Sequence, residues 1–293
     1  MFPNRLSLSL EAPLNKYRLT WLLTSVACVG LIATQARARD LTVRVNRWLE
    51  FRTLSGSVQY ASNGRTQRAR VGARINAVGD SIRTGRRSSA RLAVDTGIGF
   101  VTVAENTNLR ISRLRTTPSG GRVTELDILQ GQARLQVRPF TNRDSRLNIR
   151  TPAGVSGVRG TEFGVSVQAS GSTGVATLEG AVVSSAEGVS VDVPANFQTL
   201  IVPGEPPLPP EPLRDDPRLD IEVLQTTNRD GVQIVELVGS TDPVNLFQIN
   251  GEGQTVSKEG RFDLEISFPD DQQVLATVTT PLGTEQVYEL VVP

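Results

Sequence analysis

From Leu41 onward, apolar side chains recur at every second position and are punctuated by Gly, Asn and Asp. That is the pattern of short strands joined by tight turns. Leu92 and Val94 share a face, Asp95-Thr96-Gly97 turns the chain, and Val101 and Val103 return. Leu109 and Ile111 follow Asn106-Thr107-Asn108. Leu126 and Ile128 lead into Gln130-Gly131, after which Ala133, Leu135 and Val137 make a further strand. Leu147 and Ile149 come next. Phe163, Val165 and Val167 then share one face, with Glu162, Gly164 and Ser166 on the other. Val175 to Glu179 returns after Ser170–Gly174, and Val189, Val191 and Val193 alternate again. No amphipathic helix is expected; Arg44 to Arg52 is too short for one. The expectation is an all-β unit: a sandwich, a barrel-like sheet or a β-helical stack, and periodicity does not choose among them.

A second strand-rich unit is expected over residues 218–293. Leu219, Ile221 and Val223 alternate, as do Phe262, Leu264, Ile266 and Phe268, and Asn250-Gly251 is a favoured hairpin turn. About seven strands in this length fit a small Greek-key sandwich. The run from Gly239 to Phe268 resembles the immunoglobulin-like accessory domains of bacterial surface proteins. Between the units, residues 203–217 hold seven prolines. Such a segment stays extended and cannot be a central strand, so it reads as a semi-rigid linker.

The N-terminus has the layout of a secretory signal peptide over residues 1–38. Arg5, Lys16 and Arg18 precede the apolar run Leu19–Ala33, and Ala36-Arg37-Ala38 supplies a small-x-small cleavage pattern. Fifteen residues are short for a membrane span. Cleavage leaves a periplasmic or secreted protein; retention leaves an inner-membrane anchor. The single cysteine, Cys28, lies in this run and histidine is absent. The mature chain then has neither thiol chemistry nor the usual neutral-pH proton shuttle.

Charge divides the chain. Residues 41–160 carry 21 Arg against 7 acidic residues, whereas residues 161–293 carry 4 Arg and 1 Lys against 21 acids. This asymmetry fits an anionic partner for the first half, contact between halves, or solvated strand faces of opposite sign. Scarce Trp and Tyr argue against a nucleic-acid stacking platform. Asp215-Asp216 and Asp270-Asp271 are too few oxygens for calcium, which takes about six to eight.

The densest motif is Gly157-Val158-Arg159-Gly160-Thr161-Glu162-Phe163, closed by Glu179-Gly180 on the returning strand. The glycines permit a bulge or a close backbone approach, and Thr161 and Phe163 suit a strand. Arg159 is placed to pair with Glu162 or Glu179. The run reads as a folding corner or as a binding spot centred on Arg159, with no catalytic constellation.

These residues resemble the FecR domain. Asp80–Gly85, Asp95-Thr96-Gly97, Asn106-Thr107, Leu129-Gln130-Gly131, Thr151–Gly154, Val158–Phe163 and Leu178–Gly180 follow the family's order of motifs across Leu49 to Val202. The resemblance implies a periplasmic domain. In its best-known members, that domain relays a signal from an outer-membrane iron-siderophore receptor to a cytoplasmic sigma factor. Eighteen residues before the apolar run are too few for the helical cytoplasmic arm of those members. The expected protein is non-enzymatic and without cofactor or metal: an FecR-like domain (39–202), linker (203–217) and immunoglobulin-like sandwich (218–293). Its expected partner is an envelope protein or an anionic glycan, with no nucleic acid, and a membrane only where the N-terminus is uncleaved. The alternative is a membrane-anchored sensor of FecR type in iron-responsive signalling.

Overall fold

A computed structural model describes residues 47–229, 232–267 and 273–292. The segment expected to be a signal peptide (1–38) and the Asp270-Asp271 pair lie outside the described residues. Among those described, the protein is all-β, without a helix.

The first unit is two packed sheets. Sheet A runs in spatial order Arg74–Ile75, Leu49–Ser55, Ser89–Val94, Gly99–Val103, the second half of Arg122–Val137, Glu162–Val167, Thr173–Glu179, Phe197–Ile201 and Glu211–Pro212. Sheet B runs Arg65–Arg68, Val58–Ser62, Ser81–Thr84, Asn108–Thr116, the first half of Arg122–Val137, Arg146–Arg150, Val155–Val158, Ala181–Ala186 and Val189–Pro194. Every pairing is antiparallel except Arg146–Arg150 on Arg122–Val137. The chain passes between the sheets and climbs both together. The sandwich and the stack are therefore one object.

Arg122–Val137 belongs to both sheets. The sequence pattern splits it at Gln130-Gly131, but the backbone stays extended and bends at Gly131, where φ is +96°. A Cβ at Gly131 would lie 2.2 Å from Thr107 Oγ1, so the bend needs glycine for both conformation and space. The inward positions of the alternation form one core: Leu92, Val101, Leu109, Ile111, Leu126, Ile128, Leu135, Leu147, Ile149, Phe163 and Val165 are all fully buried. Each such side chain contributes about 1.5–3 kcal/mol of transfer free energy. Residues Leu49–Ser55, from the stretch too short for a helix, form a strand that pairs with Ser89–Val94.

The second unit has its own core of Leu219, Val235, Leu237, Phe247, Ile249, Val274, Ala276 and Val278. Seven described strands form a three-stranded sheet (Leu219–Arg229, Val232–Thr241, Arg261–Ser267) and a four-stranded one (Glu252–Gln254, Leu246–Ile249, Gln273–Thr279, Glu285–Val291). Asn250 and Gly251, with φ of +51° and +81°, make the expected hairpin turn.

The proline-rich segment is docked rather than free. Glu211–Pro212 pairs with Phe197-Gln198, and the Leu208 N–H donates to the Leu200 carbonyl at 2.9 Å. A strand short of N–H groups closes a sheet edge without inviting another strand. Asp215 then accepts hydrogen bonds from Thr280 Oγ1 (2.5 Å) and Thr284 Oγ1 (3.0 Å), which spends its carboxylate on the second unit.

Candidate functional site

Outward-facing residues of sheet A would ordinarily be solvated. Much of this face is instead covered by loops of the second unit. Gln132 donates to the Pro281 carbonyl at 2.6 Å, and Gln168 to the carbonyls of Pro243 (2.8 Å) and Asn245 (3.1 Å). Ser166 donates to the Val244 carbonyl, and Gln198 to Asp242 Oδ2 at 3.0 Å. Gln132, Ser166, Gln168 and Gln198 are all buried. Two glycines allow this approach: a Cβ on Gly164 would lie 1.8 Å from the Pro281 oxygen, and one on Gly174 2.3 Å from the Val244 oxygen.

Where this cover stops, beside Arg134, the face opens into a groove of about 420 Å³. Its walls come from five strands and the corner that joins them. Arg91 stacks over the Phe100 ring at 4.4 Å and donates to Gln136 Oε1 at 2.8 Å. Gln136 donates to Glu162 Oε1 at 3.0 Å. Arg134 reaches the same oxygen, and its Nη1 also touches the Leu282 carbonyl at 3.4 Å. Arg138 and Glu179 are exposed at the groove, and Glu179 stands opposite Glu162 in the strand register.

The corner is built by close backbone approach. Gly160 has φ of +147°, and a Cβ there would lie 2.5 Å from Pro139 Cα. Thr161 locks the corner with paired backbone bonds to Val137 (2.9 and 3.0 Å) and a 2.9 Å bond from its hydroxyl to the Ala181 carbonyl. Burial acts most strongly on the Glu162 carboxyl and pushes its pKa up. Hydrogen bonds from Gln136 and Arg134, with the charges of Arg134 and Arg91, together outweigh that and hold it below the ordinary value. Glu162 is therefore a fixed anion. The groove offers a cation over an aromatic face, an amide, a second cation and two carboxylates, a set suited to recognition by charge and hydrogen bonding.

Residues 80–183 match the family model described as FecR protein. The chain carries a FecR domain. The match spans the strands that build the groove, from Ser89–Val94 to Thr173–Glu179. Two crystal structures of a provisionally assigned anti-sigma factor from Parabacteroides distasonis are similar to the chain. The one solved at 2.50 Å has 16% identity and a TM-score of 0.39; the one at 1.65 Å has 17% and 0.37. Each alignment covers 45% of this chain and 59% of the solved chain, less than two thirds of those proteins' length. A comparison with curated proteins gives no match.

The FecR motif residues divide three ways. Gly160, Thr161, Glu162, Glu179 and Gly180 line the groove. Val158 and Phe163 point into the core. Gly157 lies on sheet B beside Asn148. Arg159 pairs with neither Glu162 nor Glu179: its Nη2 donates to the Arg143 carbonyl at 2.9 Å, on the loop outside the groove. The reason is the corner itself, which turns the chain between two sheets and sends neighbouring side chains in different directions. Glu162 takes its partners from an adjacent strand. Arg91, Phe100, Gln136 and Arg138 were not singled out in the sequence. Their signal was an outward-facing Arg, Phe or Gln in an alternating strand, and only strand order brings them together.

Proposed function

We propose that this FecR-domain protein is a sensory or regulatory binding module of the cell envelope that acts by association rather than catalysis. The groove at the Gly160 corner supports this reading. It is formed by the motif residues themselves and stays open where the second unit covers the neighbouring face. Its partner is an envelope protein or an anionic glycan. Arg91 and Arg138 attract negative charge, the Phe100 face supplies apolar contact, and Gln136 fixes orientation. Glu162, already satisfied by Arg134 and Gln136, holds the wall in place.

Retention of the purified exported protein on envelope fractions tests this. Wild type is expected to bind at low salt and to release as ionic strength rises. Arg91→Ala and Phe100→Ala are each expected to weaken retention by roughly tenfold, the size of a central contact. Retention that ignores salt and both substitutions would contradict the proposal.

A further inference from the structure

The loops at one end of the FecR sandwich form a rim of arginines without carboxylate partners. Residues 95–98, 116–121, 138–145 and 159–161 meet there. Arg122 Nη1 donates to the Thr96 carbonyl at 2.8 Å, Asn142 Nδ2 to the Ser119 carbonyl at 2.9 Å, and Arg159 Nη2 to the Arg143 carbonyl at 2.9 Å. The rim carries Arg115, Arg122, Arg143, Arg146 and Arg159. Among the described residues none of these five forms an ion pair, whereas Arg110, Arg113 and Arg150 on the nearby outer face of sheet B all do. Besides Asp95, which is spent on Arg47, and Glu162 and Glu179 at the groove, the rim's carboxylate is Asp144, which accepts from the Ser119 hydroxyl. No large apolar side chain is exposed on these loops.

We propose that this rim seats the FecR domain on an anionic lipid bilayer. Guanidinium groups with no carboxylate partner keep N–H donors for lipid phosphates, and the lack of exposed apolar residues means adsorption at the headgroups rather than insertion. The path of the chain favours the same end. Arg47 is fixed at this rim by Asp95 and by the carbonyls of Arg115 and Val123. Thirteen residues separate Ala33, the last of the apolar run, from Arg47. A chain that keeps its apolar run in a bilayer is tethered by this end. The second unit does not occupy the rim: its loops hold Gln132, Ser166 and Gln168 further along sheet A.

The test is flotation of the exported protein with vesicles of phosphatidylcholine alone or with about 30% phosphatidylglycerol. Anionic vesicles are expected to bind roughly tenfold more protein, with the excess lost near 0.5 M salt. Reversal of three rim charges (Arg115→Glu, Arg143→Glu, Arg146→Glu) is expected to abolish the excess. The same number of reversals at the opposite end (Arg83→Glu, Arg86→Glu, Arg87→Glu) is expected to leave it within about twofold. A second readout holds whether or not the apolar run is retained. An environment-sensitive dye on Ser119→Cys, in a Cys28→Ser background, should shift to the blue on anionic vesicles and stay unchanged on neutral ones. Equal binding with no dye shift, or equal sensitivity to both sets of reversals, would overturn the proposal. None of the reversed residues lines the groove, so that outcome leaves the groove reading standing.

Discussion

Arg134 reaches across to the neighbouring strand and places Nε at 2.9 Å and Nη2 at 2.5 Å from one oxygen of Glu162. This pair, with Gln136, fixes the wall of the groove. Because the folded carboxyl sits below its ordinary pKa, the pair stabilises the fold above the unfolded pKa, and that stability is lost as pH falls through the folded value. Arg134 is 38% exposed, so solvent screens the interaction. Wild type should exceed Glu162→Gln by about 1 kcal/mol at neutral pH. The gap should narrow below about pH 4.5 and close further into acid. Urea unfolding of both proteins across this range checks it; a gap constant down to about pH 3 would contradict it.

Arg47 and Asp95 make the buried counterpart. Their side chains are 3% and 7% exposed, and Arg47 also binds the carbonyls of Arg115 and Val123 and the Thr124 hydroxyl. Asp95 accepts from the Trp48 N–H as well, at 2.8 Å. Removing one partner strands a buried charge. Arg47→Ala is expected to destabilise the FecR domain by about 3–5 kcal/mol, read by denaturant unfolding. A loss under about 1 kcal/mol would mean that the cluster is solvated in solution.

Gly164→Ala separates docking from folding. The new methyl group would collide with the Pro281 oxygen, which belongs to the second unit. The core beneath, with Phe163 and Val165, is untouched. The expected result is release of the second unit: a larger radius of gyration in X-ray scattering and faster proteolysis in the proline-rich segment, with FecR-domain unfolding little changed. An unchanged radius would show that the loop yields instead.

The alternation of Leu126, Ile128, Phe163, Val165 and Val167 was enough to give the strands and the core, because an inward side chain every second residue is a local property. The hairpin at Asn250-Gly251 was legible for the same reason. Three features were not. Gln132, Ser166, Gln168 and Gln198 look like solvated positions, and only the docked loops bury them. Gln130-Gly131 looks like a turn, yet it is the bend where one strand passes between sheets. Arg159, the charged centre of the motif, faces Arg143 on the loop, while Arg134 and Gln136 serve Glu162. Each of these depends on contacts between residues distant in sequence.

The most direct measurement is site-specific photocrosslinking in cells that produce the protein, with a benzophenone side chain at Glu179 beside the groove or at Asp263 on the outward face of the second unit. The account predicts one discrete adduct from Glu179, lost when Arg91→Ala is added, and none from Asp263. No adduct from Glu179, or the same adducts from both positions, would contradict a partner at the groove.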